Sequence, residues 1–339
     1  MKKSLLYKTA LLILMLVLGM GYWFLFSNNT TTTQKTRYVY IPTGCTDSQF
    51  SAILVDSQVL KSPGTFQFLA GKMGLWGHVK AGRYGIKPGM GNWALVRMFR
   101  SGQQTPVRVV INKLRTSASF FQKLDLGLEA DSLAFATAFY DTLFLRKLNL
   151  TPAQMPSVIV PATYEIWWNA TPEQVAEKFQ KAYELFWNEE RRQAAKSMGL
   201  SIPEVVTVAS IVEEETNQND EKATVASVYL NRLRKGMKLD ADPTVKFAVG
   251  DFSLRRILNV HTAFESPYNT YRVIGLPPGP ICTPSSSSIE AVLKNESSNY
   301  LFFCAKEDFS GHHNFAATYE AHLKNARLYQ QALNARGIR

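Results

Sequence analysis

Apolar residues bunch at the start of the chain and recur at fixed spacings further on. Residues 9–26 (TALLILMLVLGMGYWFLF) form an uncharged run of 18. A membrane-crossing helix needs about 20 mainly apolar residues, with about 17 as the lower limit. Leu5, Leu6 and Tyr7 extend the run, and Lys8 can snorkel toward headgroups. Tyr22 and Trp23 sit toward the far end, where aromatic rings favour the interface. Lys2, Lys3 and Lys8 lie before or beside the run, so the positive-inside rule keeps the N-terminus cytoplasmic and carries the rest across. A signal-peptide core is shorter, about 7–15 residues, and ends in a small-x-small site; this run ends FLFSNN. It is read as an uncleaved single-pass anchor, with residues 28–33 as a polar linker. No later segment is long and apolar enough to span.

The next stretch alternates short strands and helices. Residues 37–41 (RYVYI) predict a strand, and Thr46 or Asp47 can cap a helix to about residue 56. Ser62-Pro63 predicts an N-cap and first-turn proline for a helix to about residue 73. A strand over 83–86, a short helix to Gly102 and a strand over 107–111 complete a small α+β module. Residues 119–126, 131–148 and 171–198 carry apolar side chains at three- and four-residue spacing and predict helices. Pro161–Tyr164 lies between the last two as a loop or short extended segment.

From Ser201 polar residues of chemical interest become dense. Val205, Val208, Ala209 and Val212 predict a helix buried along one stripe. At about 100° per residue Glu214 falls opposite the stripe, toward water. Glu213 and Glu215 fall on its two margins, about 160° apart, so they do not converge on one substrate atom. A helix over 221–235 carries Asn231 and Arg232, with Val225, Val228 and Tyr229 inward and Gly236 as its stop. Asp242-Pro243 caps and opens a helix ending near Gly250. Residues 266–271 (SPYNTY) and 275–280 (GLPPGP) are restricted loops, where binding groups tend to be placed. Ser287 and Glu290 predict a capping box, residues 300–305 a strand, 311–315 (GHHNF) a loop, and a basic amphipathic helix ends the chain from about Tyr319.

With 46% hydrophobic and 19% charged residues, the composition excludes a mostly disordered, collagen-like or low-complexity chain. The +11 net charge does not imply nucleic acid, because the anchor carries the folded part away from DNA. The chain has no GxSxG, HExxH, P-loop or helix-opening GxGxxG. His312, His313 and His322 could approach a metal, but adjacent histidines rarely converge; neither metal nor cofactor is expected. Cys45, Cys282 and Cys304 need not pair, and a Cys282–Cys304 disulfide stays open in an oxidising compartment. What remains is a carboxylate beside amides, tyrosines and an arginine. Such groups bind sugar polymers, and glycosidic bonds are broken by carboxylic acids.

At these residues the chain resembles the endolytic murein transglycosylase (MltG/YceG-like) family. The resemblance rests on ASIVEEET (209–216), VASVYLNRLRKGMKLDADPTV (225–245), SPYNTYRVIGLPPGPICTP (266–284), YLFFCA (300–305) and GHHNF (311–315). It implies an α+β protein: anchor and linker over 1–35, a small LysM-like subdomain over 36–115 and a larger catalytic domain over 116–339. It implies cleavage of the MurNAc–GlcNAc bond within peptidoglycan strands without water, leaving a 1,6-anhydro end. The matching pattern makes Glu215 the catalytic acid and base, with Glu213 its supporting or alternative catalytic neighbour. Asn231, Arg232, Asp242, Thr244, Tyr268, Asn269, Tyr271 and Asn314 are expected to line the glycan cleft or hold Glu215, unless Arg232 and Asp242 form a structural ion pair. The implied partners are glycan strands, peptidoglycan synthases and inner-membrane lipid, with the catalytic domain outside the cytoplasm. The alternative is a non-catalytic peptidoglycan-binding scaffold of the envelope.

Overall fold

The computed structural model describes residues 2–337. The chain folds into two compact units. The first runs to Val109 and includes residues 127–130 and 165–171; the second holds residues 110–126, 131–164 and 172 onward.

The first unit begins with helix α1 (Lys2–Phe26). Among the described residues it is the one unbent helix long and apolar enough to cross a membrane, over Leu6–Phe26. Strands β1 (Arg37–Ile41) and β2 (Gly82–Ile86) pair antiparallel, from Arg37 opposite Ile86 to Ile41 opposite Gly82. Helices α2 (Asp47–Asp56), α3 (Pro63–Lys72) and α4 (Asn92–Ser101) complete the unit. The core is aromatic: Phe99 meets Phe50, Phe66 and Tyr84 edge-on at 5.0, 6.2 and 4.9 Å. That geometry sets each ring's positive edge against its neighbour's negative face. Ser62 flanks α3, but its side chain makes no cap; Pro63 alone marks that start. Residues 28–33 are no free linker. Asn29, Thr30 and Thr32 are buried, and Asn29 exchanges hydrogen bonds with Ser62 and donates to Asn92 Oδ1.

Strand β3 (Val107–Val110) pairs with β4 (Thr163–Ile166). In the second unit α5 (Ser117–Asp125) packs on α6 (Ser132–Phe139), followed by α7 (Thr142–Lys147). One helix over 131–148 was expected. Asp141 divides it, because its carboxylate accepts from the Leu143 and Phe144 N–H groups and opens a new helix. Asn188 likewise divides the expected helix over 171–198 into α8 (Pro172–Phe186) and α9 (Glu189–Ser197), accepting from Arg191 N–H.

Helix α10 (Ile202–Glu215) is the centre of this unit. The Glu204 carboxylate accepts from Ser201 N–H at 2.7 Å, fixing its start. The predicted single stripe is too narrow. Every residue from Val205 to Val212 is buried, because α11 (Lys222–Arg234), α12 (Asp242–Val249), α14 (Ser286–Leu293), α9 and the 3₁₀ turn Pro152–Val158 surround the helix. Its inward polar residues are satisfied locally: Thr207 donates to Pro203 O, and Ser210 donates to Thr207 O and accepts from Ile281 N–H. Gly279 is required where the proline-rich loop meets the 3₁₀ turn, since a Cβ there would lie 2.0 Å from Ala153 O.

The short α13 (Asn259–Thr262) follows α12. Ser285, rather than Ser287, caps α14 by accepting from Ser288 N–H, and Glu290 instead pairs with Arg191. The expected loop over 311–315 becomes β6 (His313–Ala316), antiparallel to β5 (Phe302–Ala305) and backed by α15 (Tyr319–Ala335). Cys45, Cys282 and Cys304 are all free thiols, so the open disulfide does not form.

Candidate active site

Three glutamates close α10, and each meets different surroundings. Glu213 faces α11 and α14. Its carboxylate accepts from the Lys222 ammonium at 3.1 Å and from the Ser285 and Ser288 hydroxyls. Burial works against its charge, but these donors prevail and hold its pKa below the ordinary value. Glu214 does not point to water as the stripe predicted. Arg115 grips it through two hydrogen bonds of 3.0 Å, Lys113 lies at 3.1 Å, and its side chain is 13% exposed. Segment 112–116 covers that flank, which helix periodicity could not foresee.

Glu215 is half-buried and lines a cleft of about 390 Å³, shared with Tyr229, Arg232, Asp242, Tyr271 and Phe302. The Tyr229 hydroxyl donates to Glu215 Oε1 at 2.6 Å. Burial is the largest influence on Glu215 and raises its pKa to about 7, aided by the Asp242 and Glu214 charges; Tyr229 and Lys246 oppose the shift. A second cleft of about 360 Å³, lined by Gln218, Lys306, His312 and His313, also reaches Glu215. Thr216 ends α10 in extended backbone and donates to Glu221, whose carboxylate also holds His313 Nδ1 at 2.7 Å.

Of the residues expected at the cleft, Arg232, Asp242 and Tyr271 join Glu215. Asp242 is the first residue of α12 rather than its cap, and its carboxylate accepts from the Tyr271 hydroxyl at 2.7 Å. Arg232 does not pair with it. Its guanidinium donates to the Lys238, Leu239 and Leu301 carbonyls and pairs with Asp240. Arg232 therefore braces the cleft wall.

The remaining five expected residues do not line the cleft. Asn231 donates to Ser298 O and Tyr300 O. Thr244 is buried and donates to Ala241 O. Asn269 is buried and donates to Thr262 O and Phe264 O. Asn314 donates to Glu307. Tyr268 packs on Phe247 and lines a separate cavity of about 250 Å³. Glu213 also faces away from the cleft.

Sequence reasoning placed Tyr229 in the core and missed its bond to Glu215. A tyrosine on an inward helix face needs a hydroxyl partner, and that was the available signal. His322 stacks on Phe302 at the cleft. Among the described residues no three His, Cys, Asp or Glu side chains gather to hold a metal.

A carboxyl with a pKa raised to about 7, reached by two clefts and hydrogen-bonded to a phenol, has the properties a proton donor and acceptor needs. The YceG-like family model matches residues 39–328, and the chain belongs to the YceG-like family. The chain is 30% identical over 319 residues to an endolytic murein transglycosylase of Bacillus subtilis, covering 89% of this chain and 87% of that relative. An endolytic murein transglycosylase of Streptococcus pneumoniae is 26% identical over 301 residues, but this chain spans only 54% of its length. A crystal structure of a YceG-like protein from Listeria monocytogenes matches with a TM-score of 0.55 and 29% identity, covering 86% of this chain and 99% of that one.

Proposed function

We propose that this protein is a peptidoglycan lytic transglycosylase that cuts glycan strands internally, with Glu215 as its catalytic acid and base. The carrying observation is a single carboxyl, raised to about pKa 7, reached by two clefts. Protonated Glu215 gives its proton to the oxygen joining MurNAc to GlcNAc. The C1–O bond breaks and its electron pair stays with the departing GlcNAc oxygen. The muramyl 6-hydroxyl bonds to the electron-poor C1, and its proton returns to Glu215. No water is consumed and the acid is regenerated. Tyr229 donates to the carboxylate in the interval, which stabilises the ionised form. Two clefts that share Glu215 give a strand more room than one, which suits internal cleavage.

The names of the relatives support the same substrate. Residues 36–115 are assigned as a LysM-like glycan-binding subdomain and 116–339 as the catalytic domain. α1 anchors the protein in the inner membrane with its N-terminus cytoplasmic, which holds the active site beside new strands and their synthases.

A second reading is hydrolysis, because the Asp242 carboxylate shares the Glu215 cleft and hydrolases use paired carboxylates. Product mass separates the two. Digestion of purified peptidoglycan by the full chain in detergent should yield fragments lighter by one water than hydrolytic products. Fragments carrying that water would replace transglycosylation by hydrolysis.

A further inference from the structure

We infer that the face of the N-terminal unit around Phe68 and Trp93 lies in the outer headgroup layer of the bilayer that α1 crosses. This rests on the reading of α1 as an anchor. Leu6–Phe26 is 21 residues long, about 32 Å at 1.5 Å per residue, against a hydrocarbon core of about 30 Å. The last turn of α1 therefore reaches the outer interface.

That turn is fixed to the unit. Phe24 and Leu25 pack on its core, and the Asn92 amide donates to Phe24 O at 3.3 Å. Gly91 approaches so closely that a Cβ would lie 2.8 Å from Phe26 O. Beyond the turn, Asn29 N–H donates to Met90 O and Thr31 N–H to Val59 O, so the chain has no slack to lift the unit away.

Side chains touching the last turn share its depth. Phe68 meets Phe24 edge-on at 5.8 Å, and Trp93 lies 6.3 Å from Phe26. Both are large, apolar and open, 59% and 41% exposed. The Lys72 ammonium lies 5.7 Å from the Phe68 ring centre, and Lys61 lines a cavity of about 420 Å³ with Trp23. Aromatic rings with lysines beside them match the acyl–headgroup boundary, where rings settle and ammonium groups reach phosphates. The occupant is thus a phospholipid surface rather than a protein or glycan.

The test uses the full chain in vesicles of phosphatidylcholine and phosphatidylglycerol carrying a headgroup-level nitroxide lipid. Trp23 and Trp93 should both be quenched, so Trp93→Phe and Trp23→Phe should each remove a large share of the quenching. If Trp23→Phe alone removes it, the anchor stands and the docked face is wrong. If Trp93 is shielded from aqueous acrylamide yet untouched by the nitroxide, a non-lipid partner covers it and the proposal fails. If no tryptophan is quenched by the lipid, the anchor reading fails and takes the docked face with it.

Discussion

Glu213 and Glu215 leave the same turn of one helix and enter opposite electrostatic worlds. Glu213 meets an ammonium and two hydroxyls, which keep it ionised. At Glu215 burial and nearby carboxylates outweigh one phenol and a lysine, and its pKa rises to about 7. Burial pushes both pKa values up; at Glu213 the ammonium and hydroxyls outweigh it, and at Glu215 the single phenol does not. The Glu213 pocket ties α10 to α11 and α14, whereas the Glu215 cleft leaves its carboxyl available to a substrate.

The largest effect should come from Glu215→Gln, which removes the transferable proton. Release of anhydro fragments should fall about 10³-fold, read by mass spectrometry, with folding retained. The same variant tests the buried charge. The native carboxyl takes up its proton near pH 7 and an ordinary one near 4.5, so ionising it costs the fold about 3 kcal/mol. That cost is absent below about pH 4.5, grows as pH rises and is complete above about 7. Denaturation of both proteins at acid and alkaline pH should show the wild type losing this stability and the glutamine variant keeping it.

Lys222→Met should act on the other pocket. The Lys222 and Glu213 side chains are 6% and 14% exposed, and removing the ammonium leaves a buried carboxylate short of its charged partner. The loss should be about 3 kcal/mol in urea denaturation. The alkaline limb of activity should stay put. A shift in that limb would mean the two pockets are coupled and the contrast is false.

Tyr229→Phe should cost about 1 kcal/mol of stability. It also removes a donor to ionised Glu215, so the alkaline limb should move upward. Asp242→Asn removes a negative neighbour and should move the limb downward by less. Paired pH–rate profiles check both signs.

The sequence disclosed much of this site through geometry alone. Helix periodicity separates Glu213 from Glu215, and the structure does the same. It failed for Glu214, because the cations that cover it are about a hundred residues away along the chain. Caps buried within periodic runs were also illegible: Asp141 and Asn188 resemble solvated helix positions until their N–H partners are seen. The resemblance brought Glu215, Arg232, Asp242 and Tyr271 to one cleft, but it did not separate them from Asn231, Thr244 and Asn269. Those three spend their polar atoms on backbone carbonyls, where they hold loops and a helix start. A polar residue type does not say whether it faces a cavity or a carbonyl.

The central claim is that one glutamate holds a proton at neutral pH. Carbon-13 NMR of labelled glutamate carboxyls, recorded through a pH titration of wild type and Glu215→Gln, reads it directly. One carboxyl should titrate near pH 7 in the wild type and vanish in the variant. A wild-type spectrum in which every glutamate titrates near 4.5 or below would contradict the account.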